Sequence, residues 1–175
     1  HINFSMGISL YPDDSNDMNQ LIANADTAMY KVKKEANSNY IYFDQYMKDK
    51  LQEKKGIKEI LRYALENDGF KLKYQPQISM KSGKAESFEA LLRLKNYDIS
   101  PAKFIPVAEE TGFINEIGRW VTKRAVKQIA KWKEKDMEAR NISINFSPDQ
   151  LNDIGYIGFL NNLIKKENID PSLLE

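Results

Sequence analysis

The feature that most constrains the fold is a change of pattern near residue 70. Beyond it, apolar and polar residues alternate with the period of a strand at 70–75, 85–94 and 141–146. Segments with helical periodicity separate the second of these strands from the third. Because a strand, a helix and a second strand usually form a parallel crossover, the pattern predicts an α/β sheet or barrel.

Local signals place the ends of these segments. The turn residues at 81–84 predict a hairpin between the first two strands. Ser100 and Pro101 predict the start of a helix and Gly112 its end, whereas Asn115 is expected to cap the next helix.

The residues before this change predict a smaller set of elements. Residues 1–11 alternate like a strand, with a close backbone approach expected at Gly7, and residues 40–43 form a second short strand. Between them lies a helix, and the charge-rich segment 44–67 is also helical, with a break or kink expected at Gly56. The predicted core face of the first helix consists of Met18, Leu21, Ile22, Ala25, Ala28, Met29 and Val32.

Composition excludes several kinds of site. Lys and Arg number 26 and Asp and Glu 25, so no global field favours a nucleic acid polymer. The chain has no cysteine and one histidine, His1, which excludes thiolate metal sites and makes a serine–histidine triad untenable. No apolar run in this chain is long enough to cross a membrane. A cytoplasmic location is expected, with a sensor or membrane segment upstream left open.

Four polar residues on the predicted strands form the candidate site. Glu89 and Arg93 share one face of their strand, and Gln75 and Asn145 point away from the apolar faces of theirs. A barrel whose strands end together would gather all four. Carboxylate and amide oxygens suit Mg²⁺ or Mn²⁺, and a guanidinium can bind a phosphate with two hydrogen bonds. Spacing alone, however, favours an ordinary set of paired or solvated surface residues.

Several motifs in order then give a resemblance. They are YQP at 74–76, EALLR at 89–93, ISP at 99–101, FIP at 104–106, AEETG at 108–112 and NFSP at 145–148. Together they resemble the opening motifs of EAL domains over about residues 55–175. Upstream, SMGI at 5–8 and ADTAMY at 25–30 with Lys33 resemble the end of a GGDEF domain over about residues 1–44.

The resemblance implies a bacterial cyclic di-GMP signalling protein of mixed α/β class. Residues 1–44 would be the C-terminal part of a GGDEF domain with a cyclase-like α+β fold, 45–56 a helical linker, and 57–175 the first half of a TIM-like EAL barrel. EAL domains hydrolyse cyclic di-GMP to a linear dinucleotide with magnesium or manganese. A homodimer is left open.

Roles for the four residues also follow from the resemblance. Glu89 and Asn145 would be metal ligands, and Gln75 and Arg93 would contact the substrate. The next metal-binding glutamate is expected about two residues after Glu175, on the same strand face. Because the remaining ligands and the catalytic lysine are expected downstream, residues 1–175 alone should have no hydrolase activity.

Departures from the family pattern keep three functions open. The segment 93–99 is short and lacks a glycine, Leu94 stands where a tryptophan is usual, and Gln77 replaces an apolar residue. In the GGDEF part, Ala36, Asn37 and Ser38 replace residues that help to bind phosphates. The intact protein is expected to be a phosphodiesterase with a regulatory, degenerate GGDEF part. The alternatives are an inactive EAL receptor or docking module, and a diguanylate cyclase with an EAL appendage.

Overall fold

A computed structural model describes residues 4–34, 39–135 and 140–175, and its chain divides into two compact units, 1–56 and 57–175. The predictions for Ile2 and for Ala36, Asn37 and Ser38 lie outside the described residues. Within the described residues, no helix is long and apolar enough to cross a membrane.

The first unit pairs two short parallel strands, β1 (Met6–Ile8) and β2 (Tyr40–Tyr42), and packs them against helix α1 (Met18–Lys34). The close approach predicted at Gly7 is confirmed, because a Cβ there would overlap the carbonyl oxygen of Ala25 on α1. Any side chain at position 7 is therefore excluded by the backbone of the helix that covers β1.

The predicted core face of α1 is partly wrong. Ala28 and Val32 are buried, but Met18 and Ile22 are 70% and 56% exposed, and the buried position one turn before Ala28 is Asn24. Three-residue strands cover only one narrow stripe of a 17-residue helix, so its full apolar face finds no cover among the described residues.

Helix α2 (Gln45–Glu66) runs through Gly56 without interruption, so the break expected there is wrong. Gly56 has open space where a Cβ would stand, and a glycine in that position lowers helix propensity without ending the helix. The buried residues of α2 are Ile57, Leu61 and Ala64, which all lie in its second half.

The second unit contains a three-stranded sheet in the order β3 (Phe70–Ile78), β4 (Ala85–Leu94) and β5 (Asn141–Ile144). β3 and β4 form the predicted antiparallel hairpin, and β4 pairs with β5 in parallel, as the intervening helices predict. Leu174 forms a further parallel bridge to Ile142 on the free side of β5. Leu174 and Glu175 therefore begin to extend the sheet, whereas Leu173 still belongs to a 3-10 helix (Pro171–Leu173).

Helix α3 (Pro101–Thr111) connects β4 to α4 (Phe113–Glu134), and α5 (Tyr156–Glu167) follows β5. Gly112 ends α3 with φ at +77°, a value that favours glycine, and the same residue is the N-cap of α4. The prediction that Asn115 caps α4 is therefore wrong, because the helix begins at Phe113 and Asn115 is already its third residue.

Two apolar clusters hold the helices to the sheet. The first joins α2, α3 and the start of α4 around Phe104 and Leu61, which are fully buried. The second joins α4 and α5 to β5 around Val126 and Ile142, which are also fully buried. Both clusters pack on the face of β4 that carries Ala90 and Leu94, so the opposite face is left for polar residues.

Candidate active site

The polar face of the sheet brings together three of the four predicted site residues. Gln75 on β3 stands directly across from Glu89 on β4, and Glu89 in turn is paired with Ser143 on β5. Asn145 is the first residue after β5, two positions beyond Ser143 on the same face. Strand alternation and the register of the two strand pairs thus place the amide of Gln75, the carboxylate of Glu89 and the amide of Asn145 at one location.

A direct hydrogen bond joins Glu89 to Asn145. Nδ2 of Asn145 donates to Oε1 of Glu89 over 2.7 Å. The Asn145 side chain is exposed and that of Glu89 is half-buried, so ligands reach both from the same side. The bond leaves Oδ1 of Asn145 and Oε2 of Glu89 available as acceptors.

Arg93 lies on the same face but at the far end of β4. Its register partner is Lys71, and its guanidinium donates to the backbone carbonyl of Leu92 over 2.7 Å. Four residues of strand separate Arg93 from Glu89, a distance of roughly 13 Å between their backbones. The structure therefore places Arg93 at some distance from the group formed by Gln75, Glu89 and Asn145, which we call the central group.

The carboxylate of Glu175 is bound by two side chains of β5. Asn141 and Ser143 each donate a side-chain hydrogen bond to its carboxylate over 2.9 Å. These two bonds hold the pKa of the Glu175 carboxyl below its usual value, and the bond from Asn141 has the larger effect. The register places Glu175 level with Ser143, so a residue two positions further would stand level with Asn145.

The turn after Asn145 carries a network that the sequence prediction does not include. Ser147 caps a 3-10 helix (Pro148–Asn152), and its backbone N–H donates to Oε1 of Gln150 over 2.9 Å. The hydroxyl of Ser147 donates to Oε1 of Glu109, near the end of α3, over 2.6 Å. The SPDQ sequence at 147–150 has the spacing of a capping box and would have revealed the turn. No local signal reveals the partner on α3.

Helix α4 anchors the same turn through two successive residues. Gln150 is 3% exposed and packs so closely on Gly118 that a Cβ there would overlap its amide group. The next residue, Arg119, donates two hydrogen bonds to the carboxylate of Asp153 over 2.9 and 2.8 Å. These bonds hold the pKa of the Asp153 carboxyl below its usual value. The segment that follows Asn145 is therefore fixed at both ends.

The donor set of the central group fits part of a hard-cation site. Glu89 and Asn145 present one carboxylate and one amide oxygen close together, and Mg²⁺ and Mn²⁺ prefer oxygen ligands of this kind. Within the described ranges, no three His, Cys, Asp or Glu residues lie close enough to hold a metal ion. Glu89 and Asn145 thus offer two oxygen donors of the kind that such a site needs.

Comparison with family models identifies both parts of the chain. The EAL domain model matches residues 58–175, and the model of the diguanylate cyclase GGDEF domain matches residues 1–39. Since the first match covers more than half of the sequence, the chain belongs to the EAL domain family and carries part of a GGDEF domain ahead of it. The predicted resemblance is confirmed.

Two curated relatives match nearly the whole chain. The bifunctional diguanylate cyclase/cyclic di-GMP phosphodiesterase MucR of Pseudomonas aeruginosa is 35% identical over 176 residues, which cover 99% of this chain and 26% of MucR. The cyclic di-GMP phosphodiesterase PdeR of Escherichia coli is 36% identical over 169 residues, which cover 95% of this chain and 25% of PdeR. The chain therefore spans about a quarter of the length of these relatives.

A solved structure confirms the fold class. The MucR phosphodiesterase in complex with cyclic di-GMP superimposes with a TM-score of 0.63 and 34% identity, covering 68% of this chain and 49% of the other. The expected mixed α/β fold with part of a GGDEF domain at its start is thus correct. The EAL phosphodiesterase family generally depends on divalent metal, which agrees with the oxygen donors of Glu89 and Asn145.

Proposed function

We propose that residues 57–175 supply the first part of the active site of a phosphodiesterase that hydrolyses cyclic di-GMP to linear pGpG with Mg²⁺ or Mn²⁺. The hydrogen bond between Glu89 and Asn145 is the observation that carries the proposal. It brings two residues 56 positions apart into one oxygen-rich group, a meeting that spacing along the sequence does not predict. The similarity to MucR and PdeR, both named phosphodiesterases, supports the same reaction.

Each residue has a role that its position allows. Glu89 would hold the cation through its carboxylate and Asn145 through Oδ1, which the present hydrogen bond leaves free. Gln75, exposed and directly across from Glu89, would orient the substrate, and Arg93 would bind a phosphate further along β4. A bound divalent cation supplies polarisation of the phosphoryl oxygen and a water of lowered pKa.

The proposal includes the domain layout. Residues 1–44 would belong to a regulatory GGDEF domain, 45–56 to a helical linker and 57–175 to the EAL domain. The burial of α2 supports a boundary near residue 56, because its buried side chains begin at Ile57. Residues 1–175 alone should not turn over cyclic di-GMP, since the EAL resemblance implies further metal ligands and a catalytic lysine downstream of them.

The test replaces Glu89 in a protein that contains these residues together with the rest of an EAL domain. Glu89→Ala should lower Mn²⁺-dependent hydrolysis of cyclic di-GMP by more than about 100-fold, because losing a ligand should exceed the loss typical of an outer-shell partner. The matched control is Glu86→Ala, which removes an exposed carboxylate three positions earlier on the same strand, where the pairing with β3 is irregular, and should leave turnover unchanged.

Two results would contradict the proposal. Unchanged turnover in Glu89→Ala would show that the metal assignment is wrong. A wild-type protein that binds cyclic di-GMP without hydrolysing it, measured by calorimetry and by chromatography of the products, would be a receptor and not an enzyme.

A further inference from the structure

We propose that Glu109 is a positioning residue for the metal site, acting through Ser147 and Gln150 on the backbone that carries Asn145. The inference rests on the proposed function of Asn145 as a metal ligand and adds a residue that contacts neither metal nor substrate. Glu109 lies on α3, 36 positions before Asn145, and reaches it through the described hydrogen bonds.

Asn145 needs external support because it stands just past the end of β5. Its backbone is no longer held by the paired residues of that strand, and its exposed side chain makes one hydrogen bond, to Glu89, among the described residues. Two residues later, Ser147 has both its backbone N–H and its hydroxyl bound, to Gln150 and Glu109. Fixing Ser147 limits the backbone rotations that aim Asn145 towards Glu89.

The support rests on rigid elements on two sides. Glu109 belongs to α3 and accepts from Ser147 over 2.6 Å, which is the short distance of a charge-assisted hydrogen bond. Gln150 is buried in contact with Gly118 of α4, and that position has no room for a Cβ. α3 and α4 both pack on the first apolar cluster, so the core fixes the position of the turn that they hold.

A purely structural capping role for this network predicts a different outcome. If Ser147 only started the 3-10 helix, loss of Glu109 would lower stability slightly and leave metal affinity unchanged. If the network aims Asn145, its loss weakens metal binding in the folded protein. Outer-shell partners of metal ligands typically contribute about 10–100-fold to affinity.

The experiment measures Mn²⁺ affinity directly, by isothermal titration calorimetry and by the electron paramagnetic resonance signal of free Mn²⁺. It uses the protein with the rest of its EAL domain. Glu109→Ala should raise the Kd for Mn²⁺ about 10-fold. Glu109→Gln should restore most of the affinity, because its amide oxygen still accepts from Ser147. The matched control, Glu116→Ala, removes an exposed carboxylate from the first turn of α4 and should leave the Kd unchanged.

Ser147→Ala provides a second route if Glu109→Ala does not fold, and it should raise the Kd to a similar extent. An unchanged Kd in a folded Glu109→Ala or Ser147→Ala protein would overturn the inference. Because Mn²⁺ binding is read without substrate, the two proposals fail separately. If the wild-type protein hydrolyses cyclic di-GMP and the variants bind Mn²⁺ as tightly as it does, only the positioning role is refuted. If the wild-type protein does not hydrolyse cyclic di-GMP but the variants bind Mn²⁺ more weakly than it does, only the proposed phosphodiesterase activity is refuted.

Discussion

The two units of the chain differ in how they are held together. In the first, the described residues bury two apolar side chains, Ala28 and Val32, and leave many large apolar residues exposed, including Tyr11 at 71% and Met18 at 70%. In the second, two clusters of buried side chains enclose the sheet on one face. The comparison teaches that secondary structure alone does not indicate a core. The second unit supports a precisely placed site, and the first depends on backbone pairing and one close helix–strand contact.

Truncation of apolar side chains should separate the units most strongly. Phe104→Ala removes a fully buried ring from the first cluster and should lower the free energy of unfolding of the second unit by about 3–5 kcal/mol. Ile22→Ala, at a position 56% exposed in the first unit, should cost less than about 0.5 kcal/mol. Urea unfolding followed by circular dichroism measures both. Equal losses would show that the first unit has a comparable core.

Glycine substitutions sharpen the comparison at one point in each unit. Gly7→Ala should destabilise the first unit by about 1–3 kcal/mol, because the new Cβ meets the backbone of α1. Gly158→Ala, in open space within α5, should stabilise the second unit by about 0.5–1 kcal/mol through helix propensity. Thermal unfolding checks the two signs. Stabilisation by Gly7→Ala would show that β1 does not pack against α1 as described.

The smallest expected effect concerns Asp68, in the turn between α2 and β3. It accepts hydrogen bonds from Lys95 over 2.8 Å and from Arg124 over 2.6 Å. These two donors hold the pKa of its carboxyl far below the usual value, and Lys95 has the larger effect. A lowered pKa means stability that is present above pH 4 and lost as the pH falls further. Because Asp68 is half exposed, its contribution should be under about 1 kcal/mol.

Asp68→Asn should therefore be less stable than wild type by the same small amount at pH 7 and pH 5, and the difference should shrink at pH 3. Urea unfolding at the three pH values measures it. Asp26→Asn, on the exposed surface of α1, is the control in the first unit and should change the free energy of unfolding at pH 7 by less than about 0.5 kcal/mol. A difference for Asp68→Asn that grows towards pH 3 would reverse the assigned sign.

Local sequence signals predict the second unit well because periodicity and packing agree there. The hairpin at 81–84 and the parallel pairing of β5 both follow from the pattern. The start of α4 does not, because Gly112 ends one helix and begins another, and a glycine signals only the first event. The exposure of Met18 and Ile22 depends on how much sheet covers α1, which a helical period does not encode.

The candidate site also has a part that the sequence predicts and a part that it does not. Alternation along the strands places Glu89 and Gln75 on one face, and the family motifs add Asn145. The contact between Glu109 and Ser147 joins two segments 38 residues apart through side chains alone. No spacing rule predicts such a contact, because it depends on how α3 and the turn after β5 are placed by the core.

The order of pairing in the sheet has a consequence for biosynthesis. The pairing of Gln75 with Glu89 belongs to a hairpin, which closes within microseconds once both strands are available. The pairing of Glu89 with Ser143 must wait until α3 and α4 have emerged from the ribosome. At usual rates of translation, Glu89 remains without its amide partner for roughly 3–10 s after its own synthesis. One half of the site is thus assembled locally and early, and the nascent chain carries an unpaired carboxylate until the crossover is complete.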